Sequence, residues 1–191
     1  MPALLDDTQA RLLLHKIAGR DEAALAELHR MIGPRLYGFA FQRSRNHEHA
    51  ETVVVDTLWE IWQSCDRFRG TSLVSSWIFG IARNKSFELW RAAGPEHEDI
   101  DNYADELVCE AGDVSQALES KQESRKILLC IEKLSACQRE CMQLAHFEGL
   151  GIAAIAEIQQ VPENTVKTRL FHARRNLRTC LAQAVVGSPS R

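Results

Sequence analysis

The chain has 191 residues, with 23 basic and 26 acidic side chains and a formal charge of −3. That length holds one large domain or two small ones, and no stretch approaches the roughly 20 apolar residues that cross a bilayer. The N-terminal MPALLDDTQARLLLHK has no basic lead before an apolar run, so no secretory signal or direct membrane insertion is expected, and the location expected is cytoplasmic. The net charge by itself names no partner, because a mildly acidic whole can carry a basic patch.

Glycine and proline are sparse, and apolar residues recur at periods of three and four, so the chain reads as all-α. The first half, 8–93, carries several amphipathic segments. The earliest begin near Arg11, with breaks expected around Gly19 and Gly33. Another covers His47 to Ser64, with Val54, Leu58, Ile61 and Trp62 on one face, and a further one covers Leu73 to Arg91. Residues 94–120 then change character: GPEHEDIDNYADELVCEAGDVSQALE holds nine acids and no Lys or Arg, the composition of a solvated linker. A short helix fits only its C-terminal end.

The second half, 121–185, is helical again. RKILLCIEKL leads to Ser135, which with Gln138 fits the Ser-x-x-Gln form of the capping box. The helix CQRECMQLAHFEGL follows, then a turn at Gly149 to Gly151 and a short helix AAIAEIQ. VPEN stops that helix and ENTVKTRLFHARRNL begins a longer one. Two short helices joined by a tight turn, the second with a polar start, describe a helix-turn-helix. At 100° per residue, Val166, Leu170, Ala173, Leu177 and Leu181 cluster within about 80° as the core face. Lys167, Arg174 and Arg178 form a stripe beside that face, with Arg175 and Phe171 just beyond. An acidic protein that concentrates cations on one exposed helix face suits DNA phosphates, which supply affinity without sequence information. Asn164, Thr165, Lys167 and Thr168, in the first turns, are groups able to reach base edges in a major groove.

GLGIAAIAEIQQVPENTVKTRLFHARRNLR resembles region 4 of the extracytoplasmic-function (ECF) RNA polymerase sigma factors. AETVVVDTLWEIW resembles region 2.2 of that family, DRFRGTSLVSSWIFGIARNKSFELWR regions 2.3 and 2.4, and IAGRDEAALAELHRMIGPRLYGFA region 2.1. The blocks stand in the family's order, on either side of the acidic stretch. The resemblance implies a region 2 helical bundle (8–93) and a region 4 helix-turn-helix (121–185), joined by the linker. It also implies the job: binding core RNA polymerase and directing transcription initiation at chosen promoters.

Residue by residue, it implies −35 contacts from Lys167, Thr168, Phe171 and His172, with Arg174 and Arg175 on phosphate. Phe68, Arg69, Gly70 and Ser72 would lie on a loop that holds a flipped −10 base. Asn84 would read an adjacent base through its amide, with Arg83 and Lys85 beside it. Opening a duplex requires unstacked bases to be held in a pocket or on aromatic rings, and Phe68, Trp77, Phe79 and Trp90 interleave with these cations. The alternative for Trp77, Phe79 and Trp90 is a place in the core, and that explains Trp77 most readily. The 2.2 helix would dock on the clamp helices of the largest polymerase subunit, with Glu51, Asp56 and Glu60 supplying charge and Leu58, Trp59 and Trp62 apolar contact. The alternative for Leu58 and Trp62 is the protein's own core. The resemblance further implies an anti-sigma factor as regulator, often membrane-linked and so able to hold the protein at the inner membrane, and a monomer when free.

Several positions depart from the family pattern. Thr52 and Val55 replace a usual acid and a usual Gln in 2.2, and Gly80 stands where a base is common. Gly151 and Ile152 replace a usual Ser/Thr cap and an aromatic residue. Gln160 stands where the turn usually has Gly, a position that strains an L residue at positive φ. Ala145 replaces an Arg that often binds phosphate.

No metal and no cofactor is expected. His47, Glu48, His49 and Glu51 lack the H-E-x-x-H spacing and read as a loop entering the 2.2 helix. Cys137, Cys141 and His146 read as structural, since Cys141 matches a buried aliphatic position. The six cysteines (Cys65, Cys109, Cys130, Cys137, Cys141 and Cys180) form no CxxC pair, and free thiols are expected in a reducing compartment. No nucleophile–base or phosphate-loop pattern stands out, so no enzyme is expected. Two competing functions remain open: an autonomous helix-turn-helix regulator, and a sigma-like interaction module without promoter activity.

Overall fold

The computed structural model describes residues 5–92 and 126–186, with side chains to residue 183. The proposed linker, 94–120, and the helix expected at its end lie outside these residues. The described residues form helices and no strand. They are α1 (Asp7–Ala18), α2 (Glu22–Ser44), α3 (His47–Ser64), a single 3-10 turn (Cys65–Arg67), α4 (Val74–Ala92), α5 (126–132), α6 (Ala136–His146), α7 (Ile152–Gln159) and α8 (Glu163–Val186).

Capping side chains fix several helix starts. Asp6, Asp21 and Asn46 accept hydrogen bonds from Thr8, Ala24 and His49 N–H and so satisfy free first-turn donors of α1, α2 and α3. Ser135 and Gln138 close the expected capping box on α6. Two boundaries differ from expectation. The break at Gly33 does not occur, and α2 runs through Gly33 and Pro34. Proline removes one backbone donor, but Ile32, Gly33 and Leu36 are buried on both sides of it, and that packing holds the helix together. His47 to Glu51 carries two readings, a loop and the start of the amphipathic segment from His47 to Ser64; the loop reading fails and the segment holds, because Asn46 caps the first turn of α3.

α2 is the central element of the first unit and touches α1, α3 and α4. Leu28, Ile32, Leu36, Ile61, Ile78 and Phe79 are fully buried there, and the Phe39 and Phe79 rings meet edge-on at 5.3 Å. In the second unit α6, α7 and α8 enclose Cys141, Leu144, Ile155, Val166, Leu170 and Ala173. Burial of this size, at roughly 25 cal/mol per Å2 of apolar surface, is what stabilises short helices that would not persist alone.

The two units are packed on each other. α4 meets α7, α2 meets α6, and the buried apolar residues of both units form one continuous cluster. Among the described residues, ion pairs cross the boundary that take their cation from the first unit and their anion from the second. Arg35 pairs with Glu148, Arg43 with Glu140 at 3.3 Å, Arg83 with Glu140 at 2.8 Å, and Arg45 with Glu132 at 3.4 Å. Burial raises the proton affinity of the Glu148 carboxyl, and Arg35 opposes that shift.

The expectation of free thiols fails for one pair. Cys130 and Cys180 form a disulfide, because α5 and α8 bring their Cα atoms to 5.7 Å across 50 residues of sequence. Spacing alone carried no sign of it. Cys65, Cys137 and Cys141 are free.

Candidate nucleic-acid and polymerase interfaces

The face of α8 is laid out as the sequence pattern requires. Val166, Leu170 and Ala173 are buried, and Leu177 and Leu181 are half-buried. Asn164, Lys167, Thr168, Phe171, Arg174, Arg175 and Arg178 are exposed, and Thr165 and His172 are half-buried. Lys167 lies 3.9 Å from Glu163, a solvated pair of small energetic weight. Phe171 is 62% exposed and meets the edge of the His172 ring at 5.4 Å. A large aromatic side chain thus stands mostly in water beside four cations.

Arg169 differs from its neighbours. It turns inward, and its Nη1 donates to Gln159 Oε1 at 2.8 Å, tying α8 to α7. The same oxygen accepts the Cys141 thiol at 3.1 Å. Burial, ahead of every other influence, pushes that thiol up to about 11, so Cys141 is an inert core group. Cys137 is exposed, and the described residues contain no cluster of three metal-binding side chains. Between α7 and α8, Gln160 adopts φ 54°, the left-handed conformation its position implied, and its N–H caps the α7 carbonyls of Ala156 and Glu157.

The loop from Phe68 to Leu73 is held from α1, by contacts that no local motif signalled. Arg11 donates to Gly70 O at 3.1 Å and to Ser72 O at 2.7 Å, and its guanidinium lies 5.2 Å from the Phe68 ring centroid. Asp7 orients Arg11 at 2.6 Å and accepts the Val74 N–H at 2.7 Å, so it also caps α4. Burial raises the Asp7 carboxyl's proton affinity, but the Val74 N–H and Arg11 outweigh it and hold the group below the usual range. Gly70 has φ 74°, where only glycine is unstrained. Phe68 packs on half-buried Trp77 at 5.4 Å, and Arg69 is exposed.

The polar side chains of α4 have different surroundings. Asn84 is exposed. Lys85 pairs with Glu60 at 3.6 Å and Glu88 at 3.4 Å. Arg83, expected on an open DNA surface, is instead only 14% exposed and engaged with Glu140 of the second unit. The reason is the packing of α4 against that unit.

On α3 the exposed stripe is Glu51, Val55 and Trp59, at helical spacing. Trp59 is 61% and Val55 63% exposed. Asp56 is half-buried. Glu60 is occupied by Lys85 and accepts the Ser64 hydroxyl, so it is not a free charge. Leu58 and Trp62 pack against the core, and Trp62 lies under Arg20, whose guanidinium is 5.2 Å from its ring. His47 is held by Tyr37 and by the Phe41 ring at 4.6 Å.

Comparison with known proteins matches both halves. Residues 28–96 match the family model of sigma-70 region 2, and residues 124–177 match that of sigma-70 region 4; together they span more than half of the chain. The ECF RNA polymerase sigma factor SigK of Mycobacterium bovis (strain BCG / Pasteur 1173P2) is 28% identical over 184 residues, covering 94% of this chain and 96% of its own. The chain belongs to the sigma-70 family, as an ECF sigma factor.

The fold agrees. This sigma factor superposes on the sigma factor RpoE of Bartonella quintana, solved with the anti-sigma factor NepR, with a TM-score of 0.62 at 29% identity. The match covers 82% of this chain and 96% of that one. CnrH, solved in complex with the cytosolic domain of CnrY, shares the fold at a TM-score of 0.64 and 21% identity, over 92% and 98% of the two chains. No helix among the described residues of the sigma factor is long and apolar enough to cross a membrane.

Proposed function

We propose that this sigma factor binds core RNA polymerase through the exposed stripe of α3 and directs it to promoters through α4 and α8. In this reading Glu51, Val55 and Trp59 contact the clamp helices of the largest subunit, with Trp59 as the aromatic anchor such interfaces use. The loop 68–73 and Asn84 engage the melted −10 strand, where Phe68 offers a ring for an unstacked base. Asn164, Lys167, Thr168, Phe171 and His172 read the −35 element, and Arg174 and Arg175 hold phosphate. The protein acts as an initiation factor, while bond formation belongs to the polymerase. It works in the cytoplasm, free as a monomer and regulated by an anti-sigma factor that holds its two units.

The observation that carries this reading is the exposed Trp59 stripe on α3, in the same chain as a free cationic face on α8. An autonomous helix-turn-helix regulator has no use for the first. Reconstitution with core polymerase tests it: co-purification and promoter-dependent run-off transcripts are expected. Failure to bind core would leave the autonomous regulator as the better account, and binding without transcripts would leave the inactive interaction module.

A further inference from the structure

Beside the faces described above, α2 and α4 place two arginines together at the boundary between the units. The guanidinium carbons of Arg43 and Arg83 lie 3.8 Å and 4.5 Å from the centroid of the Phe87 ring. One carboxylate joins them. Arg83 Nε donates to Glu140 Oε1 at 2.8 Å and Arg43 Nη1 to Glu140 Oε2 at 3.3 Å. Glu140 is 8% exposed, and it belongs to the second unit.

Two guanidiniums this close repel each other and need an anion between them. Burial lowers the proton affinity of Arg43, Glu140 restores part of it, and Arg83 lowers it again. The anion that satisfies the pair therefore comes from the second unit and not from the first. Planar forks that offer N–H donors to two oxygens fit phosphate as well as carboxylate. Asn84, next to Arg83 in sequence, already belongs to the proposed −10 surface.

We propose that Arg43 and Arg83, set on the Phe87 ring, form a binding site for a phosphate of the promoter strand, and that Glu140 fills this site when the two units are closed. The inference rests on the sigma-factor reading and adds Arg43 and Phe87 to its DNA surface. It also makes the closed arrangement self-masking: a DNA phosphate and Glu140 exclude each other.

Part of the boundary is incompletely satisfied. Arg35 Nε and Gln42 Oε1 are buried there without hydrogen-bond partners, and a cavity of about 30 Å3 lies beside Gln42, Arg43 and Glu140. Unsatisfied polar atoms of this kind return to water on opening, which lowers the cost of opening.

The test uses the full chain and a fluorescein-labelled oligo(dT) strand, read by anisotropy across a salt series. Glu140→Gln should bind about 5- to 150-fold more tightly than wild type, the usual span of coupling between two sites. Its salt slope should steepen by about 0.7, one phosphate on a single strand. Glu22→Gln, the same charge change at an exposed site in the first turn of α2, should leave binding near wild type. Adding Arg43→Gln or Arg83→Gln to Glu140→Gln should abolish the gain. A Glu140→Gln affinity equal to wild type or to Glu22→Gln overturns the proposal, as does a gain that survives loss of both arginines. Should Glu140→Gln not fold by circular dichroism, Arg43→Gln/Arg83→Gln in reconstituted holoenzyme decides. At least tenfold weaker promoter binding with a shallower salt slope supports the site, and an unchanged slope overturns it. Wild-type run-off transcription separately tests the sigma-factor reading, so the two can fail independently.

Discussion

Arg11→Ala removes the anchor of the loop that carries Phe68, Gly70 and Ser72. The side chain makes two hydrogen bonds to loop carbonyls, at 3.1 and 2.7 Å, an ion pair with Asp7, and a contact on the Phe68 ring. At about 1 kcal/mol for each hydrogen bond and about 0.5 for each of the other two at this exposure, their sum is about 3 kcal/mol. Arg11 is 39% exposed, and water replaces part of what is lost, so about 2 kcal/mol is expected as the fall in unfolding free energy in urea. The loop loses its fixed shape at the same time. Promoter opening, followed by 2-aminopurine fluorescence with reconstituted holoenzyme, should slow at least tenfold while −35 binding persists. The substitution also changes the acid response. Asp7 has a depressed folded pKa, so it stabilises the fold above the usual carboxylate value of 3.8 and loses that contribution as pH falls through the folded value. Without Arg11 only the Val74 N–H maintains the depression, and the variant should lose less stability between neutral pH and pH ~3 than wild type does. A variant that matches wild type in both urea midpoint and opening rate would refute the anchoring role.

Trp59→Ala should leave the thermal midpoint within about 2 °C of wild type, because the side chain is largely in water, yet weaken binding to core polymerase by roughly 2 kcal/mol in a titration. Gln160→Gly should raise stability by about 1 kcal/mol by removing a left-handed L residue, and a lowered melting temperature would count against that. Reduction, or Cys130→Ser, should lower stability by up to about 4 kcal/mol in the chain-entropy treatment of a loop this long, measured with and without dithiothreitol. Arg175→Ala should weaken −35 DNA binding evenly across sequences with a shallower salt slope, and Lys167→Ala should weaken it with more dependence on sequence; unchanged footprints for both would remove α8 from the groove.

What the sequence disclosed is what local pattern encodes. The capping box at Ser135 and Gln138, the buried face of α8 and the left-handed Gln160 each depend on residues a few positions apart, so periodicity and turn chemistry reveal them. The break expected at Gly33 is the same reasoning overruled by tertiary packing, since α2 is enclosed by α1, α3 and α4. The remaining features are contacts across long sequence distances. Arg11 reaches Ser72 across 61 residues, Arg83 reaches Glu140 across 57 and Arg43 across 97. Nothing in a window of helical length marks an arginine for such a partner. The Cys130–Cys180 bridge was hidden for the same reason: both cysteines sit in helices whose mutual placement only the fold defines.

The direction of these boundary ion pairs, each with its arginine on one half and its glutamate on the other, bears on how the molecule responds to its ionic surroundings. Added electrolyte loosens the clasp between the halves and also weakens any grip on nucleic acid, although the more deeply buried pairs feel it less. The two losses act in opposite directions on occupancy of a promoter strand. A permanently open molecule would feel only the second, so this chain should keep its hold on DNA over a wider range of ionic strength than its count of cations suggests.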